Sequence, residues 1–130
     1  MTTHADRLEW MFGLRNQFMN LLNEKVPNSY PKCPVDITEK ESQKFLREKT
    51  LRGVEELFEA LQHLKNWKDH RGDVTTDIDK DEFLEEFVDA LNYFFAVLIM
   101  AGIDSDQLFK AYHAKHIKIC NRLKDLSENK

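Results

Sequence analysis

The chain has little of the residues that interrupt or cross-link a fold. Its 130 residues include four glycines, three prolines and two cysteines. Because Cys33 and Cys120 stand far apart and form no Cys-x-x-Cys pair, the sequence indicates neither a zinc site nor a disulfide framework. We therefore expect a reducing, cytoplasmic setting.

Long apolar runs and excess positive charge are also lacking. The longest apolar stretch, residues 94–101, is far shorter than the roughly 20 residues that span a bilayer, and the first residues show no secretory-signal pattern. The net charge of −4 argues against nucleic-acid binding, which requires a basic face. We expect neither a membrane nor a nucleic acid among the partners.

The charges that are present are unevenly distributed. Residues 55–89 hold 12 Asp/Glu against 4 Lys/Arg, whereas residues 110–130 hold 6 Lys/Arg against 2 Asp/Glu. The first segment could hold cations and the second anions, unless both are ordinary solvated helix faces.

Hydrophobic residues make up 42% of the chain, enough for the core of a single domain covering residues 1–130. Apolar residues recur at helical spacing over residues 7–25 and predict a first amphipathic helix. All three prolines fall within residues 27–34, which predicts a linker after this helix.

A second helix is predicted to open at Thr38, because Thr38-x-x-Glu41 has the form of a capping box. Its apolar positions continue toward Trp67. Gly53 in its middle costs about 1 kcal/mol relative to alanine, which predicts a kink or a close helix contact there.

The polar stretch of residues 68–80 predicts a loop, and a third helix begins near Asp81. Gly102 is predicted to end that helix, and Asp104 with Ser105 to cap a fourth. The third helix is apolar over a surface too broad for one face in water. We therefore expect an all-α bundle of four to five helices that dimerises through this central apolar helix.

Four carboxylates stand out on the second and third helices. Glu56 and Glu59 have i, i+3 spacing, as do Glu86 and Asp89, so each pair projects from one helix face and borders apolar positions. Like charges drawn toward a core are costly unless a cation binds between them. Because all four ligands are hard oxygens, the pattern favours Mg²⁺, then Mn²⁺.

Two simpler interpretations apply to these residue types. The acids can form a solvated helix face that binds nothing. Four histidines lack zinc-ligand spacing and are interpreted as surface residues: His63, His70, His113 and His116.

The acids have a specific spacing that resembles a known signature. Glu-Glu-x-x-Glu at residues 55–59 precedes Glu-x-x-Asp at residues 86–89, with 26 residues between the motifs. This pattern resembles the all-α NTP pyrophosphohydrolases, which include MazG-like enzymes and the dimeric dUTPases. Residues 84–94, LEEFVDALNYF, are similar to a stretch of the dimeric dUTPases. The resemblance extends over almost the whole chain, from about Leu8 to Leu123.

The resemblance implies a metal-dependent hydrolase that cuts a dNTP to dNMP and pyrophosphate. It implies that Glu56, Glu59, Glu86 and Asp89 hold Mg²⁺, and that the protein is a homodimer or a dimer of dimers. Glu56 is the expected general base, with Glu55 as the alternative.

The resemblance also implies a set of substrate-binding residues. Gln17 and Asn20 match a Gln-x-x-Asn pair that reads uracil, Trp67 lies near an aromatic that covers the base, and Lys65 or Lys68 could add phosphate contacts. The fourth helix is similar to one whose basic residues grip phosphates, and here it carries Tyr112, Lys115 and Arg122.

Some positions depart from the dimeric dUTPase pattern. Asn92 replaces a histidine, and the last helix carries His116 and Ile119 in place of asparagines, so sugar and phosphate contacts are expected to differ. The favoured substrate is dUTP. The alternatives are a MazG-like hydrolase of dGTP, dATP or dCTP, and a helical dimerisation module without enzymatic activity.

Overall fold

The computed structural model describes residues 6–72 and 78–128, and the regular secondary structure in these ranges is entirely α-helical. Four helices follow one another: α1 (Arg7–Lys25), α2 (Lys40–Leu61), α3 (Lys80–Met100) and α4 (Ser105–Glu128). No strand occurs in these described ranges. The prediction of an all-α class with four helices is confirmed.

The segment between α1 and α2 is non-helical, as its prolines predict, and it is tied to the bundle. The Tyr30 backbone N–H donates to the Asn23 side chain at 2.8 Å, and the Tyr30 side chain is buried. The Val35 N–H donates to the Met100 carbonyl at 2.8 Å. The linker therefore closes over the C-terminal end of α3.

The predicted start of α2 is wrong. The Thr38 hydroxyl donates to the Asp36 carboxylate at 2.6 Å, so it makes a local turn instead of capping a helix. The helix begins at Lys40, and its N-cap Glu39 makes no side-chain capping bond. The helix also ends at Leu61, well before Trp67.

The predicted boundaries of α3 and α4 are close to those in the structure. The Asp79 carboxylate accepts from two N–H groups of the first turn of α3. Gly102 follows the end of α3 with a positive φ of 79°, which glycine adopts without strain. Asp104 and Gln107 then cap α4 reciprocally, each side chain accepting from the other residue's N–H.

Helix α3 is central, as its broad apolar surface predicts. It packs against both α1 and α2. Its Phe95 ring lies 4.8 Å from the Phe12 ring of α1, and its Ala96 and Met100 join Met19 in the main core cluster. The core therefore lies along α3.

Helices α2 and α3 approach each other closely through small residues. Ala60 and Ala90 are fully buried, and the space beside Gly53 is occupied by the Phe94 ring. A Cβ atom at Gly53 would lie 2.4 Å from that ring. The predicted close contact at Gly53 is confirmed.

Helix α4 is the least covered element. Among the described helices it packs only against α1, and none of its described side chains is buried. The chain direction changes by 107° between α3 and α4. No single helix in the described ranges is long and apolar enough to cross a membrane; the bent α3–α4 pair meets that test by length and composition alone.

Replacing Gly53 by alanine should destabilise the fold, because overpacking against Phe94 costs about 1–3 kcal/mol. Gly13→Ala on α1 is the matched control, since nothing lies within 4 Å of its Cβ position. The control should gain about 0.5–1 kcal/mol from helix propensity. Urea unfolding measures both. Equal stabilisation by the two substitutions would contradict the close packing.

Candidate metal centre

The antiparallel packing of α2 on α3 brings carboxylates from both helices together. Oxygen atoms of Glu56, Glu86 and Asp89 all lie within 4.8 Å of one another. Glu56 and Glu86 are half-buried, whereas Asp89 is exposed. Three of the four predicted metal ligands therefore converge on one point.

The fourth predicted ligand, Glu59, lies beside this group. It is close enough to Glu56 for its negative charge to contribute to raising the pKa of Glu56. Glu55, the alternative base, is exposed and is not part of the convergent group.

The electrostatics of the group are centred on Glu56. Burial raises the pKa of Glu56 above its ordinary value, and the negative charges of Glu59, Asp89 and Glu86 and hydrogen bonding of the protonated Glu56 carboxyl to Glu59 raise it further. In the absence of a cation, the group therefore retains a proton more readily than an isolated glutamate does.

Glu86 is the most constrained of the acids. Its Oε2 atom is buried and has no hydrogen-bond partner, while its Oε1 atom lies 3.6 Å from His63 Nε2. A buried carboxylate oxygen without a partner is costly and is ordinarily satisfied by a proton donor or a cation. The Oε2 atom of Glu86 is therefore a candidate ligand atom for a cation.

His63 corrects the interpretation of the histidines as surface residues, since its side chain is only 22% exposed. It follows the end of α2 and also lies edge-on to Phe83. The sequence signal was its position four residues after Glu59, which places it just beyond the last turn of α2.

The convergent acids fit a hard divalent cation. Carboxylate oxygens are the ligands that Mg²⁺ and Mn²⁺ prefer, and the group contains neither a thiolate nor an imidazole in ligand position. The unpartnered Glu86 oxygen and the raised pKa of Glu56 are both features that a bound cation would relieve.

A groove between α1 and α3 opens beside the acids. It has a volume of about 520 Å³, and Asp89 and Asn92 lie in its wall with Phe18 and Phe95. Arg15, which the sequence did not single out, also lines it. The groove therefore combines an apolar wall with one candidate metal ligand.

Arg15 is held in place by aromatic residues. Its guanidinium lies 4.6 Å from the centre of the Phe18 ring, and it donates to the Tyr30 hydroxyl at 3.1 Å. Its Nε–H is buried without a partner. The sequence signal for Arg15 was its cationic side chain between Leu14 and Phe18 on an otherwise apolar helix face.

Trp67 lies in a second concavity of about 710 Å³ after the end of α2. The Trp67 side chain is 70% exposed, and the Lys68 ammonium lies 5.5 Å from its ring centre. Lys65 and Arg71 line the same concavity. An exposed indole surrounded by cations is suited to a flat, anionic ligand.

The other predicted substrate residues lie elsewhere on the chain. Gln17 is exposed, and Asn20 lines a third concavity against the linker, so neither lines the groove of Asp89 or the concavity of Trp67. Tyr112, Lys115 and Arg122 are exposed on α4. None of these five residues lines the groove that contains Asp89.

Comparison with known proteins identifies no relative. No protein-family model, no curated protein and no solved structure matches the chain.

The raised pKa of Glu56 predicts a pH dependence of stability. A folded-state pKa above the unfolded value, near 4.5, favours folding while Glu56 is protonated, and this contribution is lost as pH rises through the folded pKa. Without metal, the melting temperature of the wild type should therefore fall relative to Glu56→Gln as pH increases from about 4.5.

The control for this experiment is Glu48→Gln, an exposed α2 residue that pairs with Arg52 outside the acidic group. The melting temperature of Glu48→Gln should not rise relative to that of the wild type as the pH increases. Parallel melting curves for wild type and Glu56→Gln across the pH range would contradict the electrostatic coupling.

Proposed function

We propose that the protein is a magnesium-dependent nucleoside triphosphate pyrophosphohydrolase that converts a dNTP to dNMP and pyrophosphate. The observation that supports it most is the convergence of Glu56, Glu86 and Asp89 within 4.8 Å, with one Glu86 oxygen buried and unpartnered. The acids also have the spacing of the signature that they resemble. Mn²⁺ is the expected substitute for Mg²⁺.

The four acids would have different roles in the reaction. Glu56, Glu59, Glu86 and Asp89 would hold the cation, and His63 lies 3.6 Å from the Oε1 atom of Glu86 on the other side. Bound Mg²⁺ would neutralise charge on the phosphoryl oxygens and acidify the attacking water. Glu56 would accept that water's proton, a role suited to a carboxylate whose pKa is raised.

The nucleotide would be held by residues outside the acidic group. Trp67 offers an exposed ring face for the base, and Lys65 and Lys68 offer charge to the phosphates. Gln17 and Asn20 carry the amides that suit uracil, and dUTP is the proposed substrate. Hydrolysis of dGTP, dATP or dCTP is the alternative within the same enzyme class.

A different candidate function is a helical dimerisation module without catalysis. The observation that favours it is the exposed apolar surface of α4, which includes Phe109 and Leu123. Magnesium-dependent release of pyrophosphate separates the two candidates, since an assembly module releases none.

Glu59→Gln and Asp89→Asn should each reduce pyrophosphate release by orders of magnitude, because each substitution removes a hard ligand. The melting temperature without metal should not fall, since one repelling charge is lost. Glu85→Gln is the control, an exposed acid beside Glu86 that lies outside the convergent group.

This experiment measures release from dUTP and the four canonical dNTPs with and without Mg²⁺. Near-wild-type turnover by Glu59→Gln or Asp89→Asn at saturating Mg²⁺ would show that the acids are not the metal ligands of the reaction.

Gln17→Ala should lower kcat/KM for dUTP far more than for dCTP or dGTP. A site that pairs with a base rejects a mismatch by leaving polar groups unpaired, at about 1–3 kcal/mol for each group. Two such groups give on the order of 10²-fold discrimination. Steady-state kinetics across the dNTPs measures this ratio. If Gln17→Ala lowers kcat/KM equally for every dNTP, the proposed preference for uracil is wrong and only the general proposal of an NTP pyrophosphohydrolase remains.

A further inference from the structure

Two half-buried cations from different helices meet on one tyrosine side chain. Arg15 of α1 and Lys49 of α2 are both half-buried. The Arg15 Nη2 atom donates to the Tyr30 hydroxyl at 3.1 Å, and the Lys49 ammonium lies 4.9 Å from the centre of the Tyr30 ring. Tyr30 itself is buried and belongs to the main core cluster. We call Arg15 and Lys49 the cationic pair.

The positive charges of the cationic pair are not neutralised within the chain. In the described part of the chain, neither residue forms an ion pair. Burial lowers the pKa of Lys49 below its ordinary value, and the positive charge of Arg15 lowers it further. Glu48 opposes this lowering, but its carboxylate also pairs at 3.5 Å with Arg52, whose charge acts in the same direction as that of Arg15.

Aromatic rings hold the cationic pair in position. The Arg15 guanidinium lies 4.6 Å from the centre of the Phe18 ring and 5.7 Å from that of the Tyr93 ring. The Lys49 ammonium lies 5.2 Å from the centre of the Phe45 ring. A ring face attracts a cation, but it carries no net charge and leaves the repulsion between two cations in place. The pair is therefore ordered in advance and still lacks an anion.

Arg15 also retains hydrogen-bonding capacity. A guanidinium carries five N–H donors in one plane. Among the described residues, the acceptor that Arg15 contacts is the Tyr30 hydroxyl, and its Nε–H is buried without a partner. Arginine donors in this planar arrangement recognise phosphoryl and carboxylate oxygens. The remaining donors of Arg15 are therefore suited to an oxyanion from outside the chain.

The charge of the cationic pair favours a phosphoryl group over a carboxylate. A phosphate monoester carries about 1.5 to 2 negative charges at pH 7, whereas a carboxylate carries one. Two cations at one place therefore match a phosphoryl group. Arginine supplies the planar donors and lysine the compact charge that phosphate sites use together.

The cationic pair lies close to the acidic group. Lys49 and Glu56 are seven residues apart on one face of α2, about 10 Å along the helix axis. Tyr93, which contacts Arg15, follows Asp89 by one turn of α3, about 6 Å. Arg15 and Asp89 also line the same groove. A polyphosphate chain can span the interval between the pair and the acids.

The two ends of a nucleotide would lie on opposite sides of the acids. Along α2 the chain passes Lys49 and then Glu56, and the concavity of Trp67 follows the end of the helix. A nucleotide whose base lies at Trp67 and whose phosphate chain crosses the acids therefore directs its last phosphates toward Lys49. Neither Lys49 nor Arg15 belongs to the set of residues that the sequence resemblance implies.

We propose that Arg15 and Lys49 form an anion subsite that binds pyrophosphate, both as the two terminal phosphoryl groups of the nucleotide and as the released product. The binding of pyrophosphate stands on the charge and contacts of the pair. Its part in hydrolysis rests on the proposed function. The subsite lies within one chain and offsets the negative charge of the product.

Isothermal titration calorimetry tests the anion subsite without reference to catalysis. Pyrophosphate is titrated into the wild type in EDTA, so that no divalent cation takes part. One saturable site per chain is expected. Lys49→Met keeps the aliphatic part of the side chain on the Tyr30 ring and removes the charge. It should weaken binding about tenfold or more, because a charge-assisted contact is lost.

Arg47→Gln is the matched control, since it removes one exposed positive charge from the opposite face of α2. It should bind pyrophosphate as the wild type does. A wild type that does not bind pyrophosphate, or equal binding by wild type and Lys49→Met, overturns the proposal. Orthophosphate bound as tightly as pyrophosphate overturns the assignment to two phosphoryl groups.

If Lys49→Met does not fold, the wild type alone decides the question. In an assigned ¹H–¹⁵N spectrum, pyrophosphate should shift the Arg15 Nε–H resonance and the Lys49 backbone amide, and it should leave the Arg47 amide unchanged. Saturable shifts with one dissociation constant are expected. The absence of a shift at Arg15 overturns the proposal.

Steady-state kinetics tests the part of the subsite in hydrolysis. Lys49→Met should raise both KM for the dNTP and the inhibition constant of pyrophosphate about tenfold. Its Mn²⁺ binding without nucleotide should equal that of the wild type, because the acids are intact. Unchanged KM and inhibition constant overturn the role in hydrolysis and leave the proposed function standing. A wild type that binds pyrophosphate in EDTA but hydrolyses no dNTP refutes the proposed function, while the anion subsite stands.

Discussion

The close packing of α2 against α3 is the constraint on which the rest of the structure depends. Small residues at the contact allow it, and Gly53 leaves the space that the Phe94 ring fills. The same approach brings Glu56 of one helix within 4.8 Å of Glu86 and Asp89 of the other. Larger side chains at this contact would move the two helices apart, and the carboxylates that they carry would move apart with them. The packing that holds the bundle therefore also sets the geometry of the candidate site.

The acidic group opposes this packing when no cation is bound. Burial and mutual repulsion raise the pKa of Glu56, and one oxygen of Glu86 is buried without a partner. Each effect is unfavourable for the folded state. His63 offsets part of this cost at Glu86 only when it is protonated. A hard divalent cation would offset the rest, which gives the chain a thermodynamic reason to bind one.

Periodicity and capping residues predicted most of the fold, because both act over one or two helical turns. They located α1, α3 and α4 and placed α3 at the centre. The start of α2 was wrong because Thr38 hydrogen-bonds to Asp36 and not to the helix. The i, i+3 spacing predicted the acids, but the contact of His63 with Glu86 depends on how α2 and α3 are aligned. Sequence periodicity defines a face on each helix and leaves that alignment open.

The central claim is that the convergent acids bind a hard divalent cation, and Mn²⁺ titration followed by electron paramagnetic resonance tests it most directly. Free Mn²⁺ gives a strong signal that decreases on binding, so the number of ions bound to each chain can be counted without nucleotide. We predict saturable binding to the wild type that competes with Mg²⁺ and is lost in Glu86→Gln. Identical Mn²⁺ binding by wild type and Glu86→Gln would contradict the claim, because the cation would then lie elsewhere.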